Sequence, residues 1–228
     1  MARDFNGTTQ RVGNTVSGVA GVSTMTVAIW ARPTGDGEGV GFPAIVNSET
    51  ATPTLRWRIK PTYDIDNSWA LLASSTGGNF QWVTDASGLT QNVWHHILFT
   101  MDWGSVANDA VLYRNGVLEA VTETLTGSGS FANDGNVLSV GGETALNRCY
   151  DGWAAELGIW NRILKSSEIA ALGKGYSPAF FQNGLIIYVP LIGNSSPEPE
   201  FASGKNMTLV NAPTKATHPR IIYPRNFR

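Results

Sequence analysis

Three histidines, one cysteine, 18 acidic residues and eight tryptophans carry most of the chemistry available to this 228-residue sequence. His95 and His96 are adjacent, which invites a metal ion. Adjacent residues on a strand point to opposite faces, so the two cannot close on one ion together. The spacing predicts one buried, hydrogen-bonded histidine and one surface histidine, with His218 far off in the tail. Cys149 has no second cysteine to pair with, so the fold does not depend on oxidation. It reads as a small buried hydrophobe rather than a nucleophile. Glycoside hydrolysis needs two carboxyl groups across the scissile bond, about 5 Å apart for retention. No Glu-x-Asp-x-Glu run is present. Asp64 and Asp66 flank Ile65, but PTYDIDNS reads as a loop beside Pro61, and Glu198 and Glu200 sit in a proline-rich linker. The sequence therefore predicts no catalytic residues and no enzyme.

Binding is the chemistry left. The faces of tryptophan rings suit the stacking of pyranose rings. Trp57 alternates with Leu55 and Ile59 and reads as core; Trp30 and Trp160 sit in strands and read as core or half-buried. Trp69, Trp82, Trp103 and Trp153 lie near strand ends or loops and are the candidates for exposure and sugar contact. Packing of a large sandwich competes with that reading, because aromatics dominate β cores. The tail HPRIIYPRNFR (218–228) combines arginines with Ile and aromatic residues, the types enriched at interface anchors. Arg220, Ile221, Ile222, Tyr223, Arg225 and Phe227 are the candidates for docking to a partner. Such a segment can add to a neighbour's sheet edge or tuck along its own sandwich.

These residues need elements to hold them. Hydrophobic residues make up 42% and charged residues 15%, a globular balance. The net charge is −2 with no basic patch outside the C-terminus, which argues against nucleic acid as a partner. No apolar run approaches the roughly 20 residues needed to cross a bilayer as a helix. MARDFNG lacks the apolar core of a signal peptide, so the expectation is a chain that stays where it is made unless a particle or lysis releases it. Strand signals recur through most of the length. TMTVAIWARP (24–33) places Met25, Val27, Ile29 and Ala31 on one face. TLRWRIKP (54–61) sets Leu55, Trp57 and Ile59 against a wet face of Arg56, Arg58 and Lys60. SWALLAS, NFQWVT, WHHILFTMDW, NVLSVGG, GWAAELGIW and GLIIYVPL follow. Between VLYR and VLEAV, Asn115-Gly116 predicts a two-residue hairpin loop, because both central positions need φ > 0. One helix is predicted in NRILKSSEIAALGKG (161–175), with Ser166 as N-cap, Glu168 in the first turn, and Ile169 and Leu172 docking; it is expected to plug the end of a sandwich. After Leu191 the chain becomes Pro-, Ser- and Gly-rich. The organisation read from this is a sandwich over 1–191 and a C-terminal extension over 192–228, irregular except for a strand at NMTLV.

WHHILFTMDWGSVANDAVLYRNGVLEAV resembles the central block of the laminin-G-like, concanavalin-A-like jelly rolls. YDGWAAELGIWNRILKSSEIAALG is similar to that family's final strand and following short helix, and DFNGTTQRV to its opening strand and turn. The resemblance covers most of residues 2–175. It implies an all-β fold, a two-sheet antiparallel jelly-roll sandwich with one short helix. GLIIYVPLIGNSSPEPEFASGKNMTLVNAPTKATHPR is similar to an extension that follows such jelly rolls in bacteriophage-encoded proteins. The resemblance thus implies a non-enzymatic accessory structural protein of a phage particle, located in the virion, a homo-oligomer partnered by particle proteins or sister subunits. The alternative is a carbohydrate-binding adhesin for cell-surface glycans. The family's strand before the helix often carries an aspartate beside an acid that helps bind calcium; here the matching positions read Ala155-Glu156. Asp4, Asn6 and Glu156 are what remains for such an ion, and without that aspartate no cofactor is expected.

Overall fold

The computed structural model describes residues 1–14, 19, 21–37, 43–49, 55–62, 68–85, 88–131, 137–192 and 196–225. Asp64, Asp66, Phe227 and Arg228 lie outside the described residues. In chain order the strands are β1 (Ala2–Asn6), β2 (Arg11–Asn14), β3 (Thr24–Pro33), β4 (Val46–Glu49), β5 (Leu55–Pro61), β6 (Trp69–Ser75), β7 (Gly78–Thr84) and β8 (His95–Asp102). They continue with β9 (Val111–Arg114), β10 (Val117–Leu118), β11 (Val121–Leu125), β12 (Val137–Val140) and β13 (Asp151–Trp160). The helix α1 (Ser166–Gly173) precedes β14 (Leu185–Val189), β15 (Thr208–Val210) and β16 (Thr214–Ala216).

These strands form two eight-stranded sheets. Sheet A runs β10-β9-β8-β3-β13-β1-β16, with β14 also on β13; sheet B runs β11-β7-β6-β5-β4-β12-β2-β15. Alternate side chains fill the space between them. Met25, Val27, Ile29 and Ala31 of β3 face Trp57 and Ile59 of β5, Leu71 and Ala73 of β6, and Phe80 and Trp82 of β7 in one core. This is an antiparallel two-sheet sandwich, whose inward faces follow the period-2 patterning and whose jelly-roll form is the one the resemblance implies.

The hairpin forms as its sequence requires. Asn115 (φ 52) and Gly116 (φ 79) make the turn, and the Asn115 side chain accepts the His96 amide at 2.9 Å. A Cβ on Gly116 would lie 3.0 Å from the Cα of Ala170, so the turn also rests against α1. Two expectations about that helix are corrected. Its N-cap is Lys165, not Ser166, and the orphan Lys165 amide is satisfied from inside the helix by the Glu168 carboxylate at 2.7 Å. It does not plug the end of the sandwich. Ile169 and Leu172 join Ala28, Leu98, Trp160 and Leu164 in a second cluster, so the helix lies on the outer face of sheet A.

That cover also corrects the histidine expectation, because His95 and His96 are both buried. His95 shares a side with the core residues Ile97 and Phe99, and His96 packs on the covered face beside Trp30. The wet face expected for β5 is corrected as well. Arg56, Arg58 and Lys60 are buried, and for Arg58 the cover is the segment carrying Glu143.

The stretch after Leu191 is bound to the sandwich at both sheets. β15 extends sheet B beside β2, and β16 extends sheet A beside β1. Glu198 and Glu200, expected in an open linker, are buried. Glu198 pairs with Arg3 and bridges Met207 through the backbone. The Glu200 carboxylate accepts from the amides of Tyr188, Ala202, Ser203 and Lys205 and from the Ser203 hydroxyl. Desolvation works against its charge, but these donors outweigh it and hold its pKa below the usual range.

Candidate functional site

Sheet B carries a transverse row of side chains on its outer face, most of them covered by other segments. Cross-strand register aligns Ser139 of β12, Asn47 of β4, Arg58 of β5, Leu72 of β6, Gln81 of β7 and Leu125 of β11. A second row adds Ser74 opposite Asn79. Period 2 explains most of the set, because the neighbours of Ser139, Arg58, Leu72 and Gln81 along their own strands point into the core, while Leu125 follows a register shift in β11. The chain between β12 and β13 then folds over one end of the face and brings Glu143, Ala145, Asn147 and Arg148 to it. With Arg58, Leu72, Ser74, Asn79, Gln81 and Leu125 of the sheet they line a cleft of about 440 Å³ with Glu49 at its wall. That volume lies within the ordinary range for small-molecule sites.

The polar groups of the cleft are held in place by one another. Glu143 bridges two guanidiniums: it pairs with buried Arg58 and accepts from Arg148 Nη1 at 2.9 and 3.1 Å. Glu49 accepts from Asn47 Nδ2 at 2.7 Å and from the Thr144 amide at 3.3 Å. Burial, reinforced by the like charge of Arg148 and opposed by Glu49, lowers the Arg58 pKa to about 10, so it stays a cation at neutral pH. Asn79 is exposed, and Gln81, Ser74 and Arg148 are half-buried, which leaves their polar ends at the cleft surface.

Two carboxylates in a cleft of this size raise the question of glycosidase chemistry. A general acid must carry a proton and be free to give it to the leaving group. Glu143 is committed as an acceptor to two arginines, and both oxygens of Glu49 already accept hydrogen bonds. The arrangement can bind hydroxyl groups through fixed donors and acceptors, but the contacts present leave neither acid poised for proton transfer.

The sequence does not announce this cleft, since Glu49 lies far along the chain from Glu143 and Arg148 and the three stand in no motif. Of the four tryptophan candidates, Trp69 (0% exposed) and Trp82 (1%) are in the core, which corrects their expected exposure. Their strands run deeper than the flanking Gly and Asn suggest, and Trp82 spends its indole N–H on Asp109 at 3.1 Å. Trp103 is half-buried edge-on to Phe99 and Phe131. Trp153 is half-buried on the outer face of sheet A, so the four are not brought together.

Asp4, Asn6 and Glu156 are not brought together either. Asp4 bonds to the Thr214 hydroxyl, and Asn6 Oδ1 caps the turn amides of Thr8 and Thr9. Glu156 sits on a bulge of β13 at φ 57, and its oxygens accept from Tyr188 and Tyr223 at 2.9 and 2.7 Å. Among the described residues no group of three or more His, Cys, Asp or Glu converges on a metal position. These residues do not fit a calcium ion, which needs six to eight oxygens.

The tail candidates divide. Tyr223 is spent on Glu156, where His218 also approaches at 3.4 Å, and Ile221 is half-buried. Arg220, Ile222 and Arg225 are exposed, although the Ile222 backbone bridges Tyr176. Phe227 lies outside the described residues.

The family model described as the concanavalin A-like lectin/glucanases superfamily matches residues 6–170. A search of curated proteins gives no match. Among solved structures, a candidate carbohydrate-binding protein from Bacteroides ovatus ATCC 8483 is similar at a TM-score of 0.68 and 17% identity, over 97% of this chain and 61% of that one. The chain thus spans less than two thirds of that protein. A heptameric SAP-like pentraxin from Limulus polyphemus is similar at 0.58 and 13%, over 75% of this chain and 81% of that one. Domain 4 of an extracellular arabinanase from Geobacillus stearothermophilus, in complex with arabinotriose, is similar at 0.52 and 16%, over 75% and 76%. At such identities the likeness is one of fold. Among the described residues no helix is long and apolar enough to cross a membrane.

Proposed function

Because the chain belongs to the concanavalin A-like lectin/glucanase superfamily, we propose that it is a non-enzymatic carbohydrate-binding module whose site is the cleft on the outer face of sheet B. The observation that carries this reading is the cleft itself. Arg148, Gln81, Asn79, Ser74 and Asn147 offer donors and acceptors around an apolar floor of Leu72, Ala145 and Leu125. Hydroxyl-rich ligands are recognised by that mixture, and holding Arg148 on Glu143 and Gln81 on Thr124 spares part of the ordering cost of binding. The similar Bacteroides protein and the arabinotriose-bound domain support the reading by their described ligands. A glycan array, followed by calorimetry with arabino-oligosaccharides and other hits, tests it. Saturable binding that falls tenfold or more in Arg148→Ala and Gln81→Ala is expected. Binding unchanged in both variants contradicts the site; no binding to any glycan contradicts the function.

A second reading, an accessory component of a bacteriophage particle located in the virion, is favoured by one observation. Tyr176 (38% exposed), Phe180 (41%) and Ile222 (45%) lie close together, with the Tyr176 and Phe180 rings in edge contact and Ile222 bridging Tyr176. In this reading the apolar surface meets a particle protein or a sister subunit while the cleft grips host-surface glycans. Ile222→Asp tests it without removing the tail. Loss of incorporation, or dissociation of an oligomer by native mass measurement, is the expected outcome; neither effect argues against the reading.

A further inference from the structure

The outer face of sheet A carries a second transverse row away from α1. Register places Thr214 of β16 opposite Asp4 of β1, Asp4 opposite Trp153 of β13, and Trp153 opposite Arg32 of β3. Trp94, just before β8, completes the row: its ring centroid lies 6.3 Å from that of Trp153, tilted by 55°. The Arg32 guanidinium lies 3.8 Å over the Trp153 ring and is oriented by its Nε bond to the Asn92 carbonyl at 2.8 Å. The Asp4 carboxylate accepts from the Thr214 hydroxyl at 3.3 Å. Core packing does not account for this row. Arg32, Trp94 and Trp153 all keep exposed surface, and neither tryptophan belongs to either hydrophobic cluster.

We propose that Trp94, Arg32, Trp153 and Asp4 form a second saccharide-binding surface, on the opposite face of the sandwich from the cleft, for neutral pyranosides. The Arg32 guanidinium already lies over the Trp153 ring, so it is the Trp94 indole that offers flat apolar surface to the C–H face of a sugar ring. A guanidinium fixed through Nε keeps its two terminal amino groups as a donor fork, and a carboxylate beside it accepts; the pair matches adjacent hydroxyls. One cation, Arg32, stands beside two acids, Asp4 and Asp151; burial foremost, and the charge of Asp151 after it, raise the Asp4 pKa. The local negative excess disfavours an acidic sugar. With a site on each outer face, one molecule can join two glycan chains.

This inference stands apart from the cleft, and the experiment keeps the two separate. Cellohexaose and xylohexaose serve as neutral probes and trigalacturonate as the acidic one, each titrated by tryptophan fluorescence and calorimetry. The Arg148→Ala/Gln81→Ala double variant is expected to keep binding a neutral probe. Adding Trp94→Ala to it should weaken that binding about three- to tenfold, the range expected for one stacked aromatic. Arg32→Lys, which keeps charge and loses the fork, should weaken it as well, with the melting temperature checking each fold. Complete loss of binding in the double variant, binding unchanged by both Trp94→Ala and Arg32→Lys, preference for the acidic probe, or no response to any probe overturns the proposal. Loss in Trp94→Ala combined with no effect of the cleft substitutions would instead support this surface against the cleft.

Discussion

Replacing Glu143 by Gln separates what holds the cleft together from what would touch a ligand. Arg58 is 2% exposed, and Glu143 is its ion-pair partner. The substitution leaves a buried guanidinium whose charged neighbours include the half-exposed Arg148. Removing one member of a buried pair costs about 3–5 kcal/mol, mainly because the remaining charge stays desolvated. In a chain of this size each kcal/mol lowers Tm by about 2–4 °C, so Glu143→Gln should lower it by about 6–20 °C. Arg148→Ala removes the other arm of the same bridge, but that side chain is 40% exposed. Partly solvated pairs contribute about 0–1 kcal/mol, which translates to at most about 4 °C. Arg58→Met added to Glu143→Gln should recover much of the loss, since an apolar side chain of similar length carries no desolvated charge. Scanning calorimetry of the four proteins at pH 7 decides. A Glu143→Gln shift no larger than that of Arg148→Ala would refute the reasoning.

Other consequences follow from burial elsewhere. Burial lowers the His96 pKa to about 3, against about 6.5 for an unfolded histidine. Its folded pKa is depressed, so stability is full above pH 6.5 and is lost as pH falls, while the unfolded chain takes up a proton that the folded chain refuses. Linkage over that window gives about 2 kcal/mol between pH 8 and pH 5. Urea unfolding should show this loss in the parent and an acid-induced loss smaller by that amount in His96→Gln; equal losses would count against it. Tyr223→Phe removes one of the hydroxyls that Glu156 accepts and should cost about 1–3 kcal/mol, with earlier proteolysis of the tail. Unchanged urea midpoint and cleavage rate would show that the tail is held by β16 and the Ile222 bridge alone.

Much of the fold was legible because period-2 patterning reports one property, which residues point inward, and Met25, Val27, Ile29 and Ala31 obey it strictly. Asn115-Gly116 was legible because so few dipeptides accept two positive φ angles. The errors share a cause. Arg58 and Lys60 were placed on a wet face and Glu198 and Glu200 in a linker, yet all four are buried, Arg58 and Glu198 against partners distant in the chain. Local patterning cannot see such cover, and buried charge is tolerated only where a partner arrives from elsewhere, as Glu143 does for Arg58 and Arg3 does for Glu198. The cleft was illegible for the same reason: its residues are individually ordinary, and only register places Asn47, Arg58, Leu72 and Gln81 in one line.

The most direct test of the account is nuclear magnetic resonance mapping with an array-selected oligosaccharide. The account predicts saturable shifts of the Asn79 and Gln81 side-chain amides and of the Arg148 guanidinium. Shifts absent from those groups at saturating sugar would contradict it.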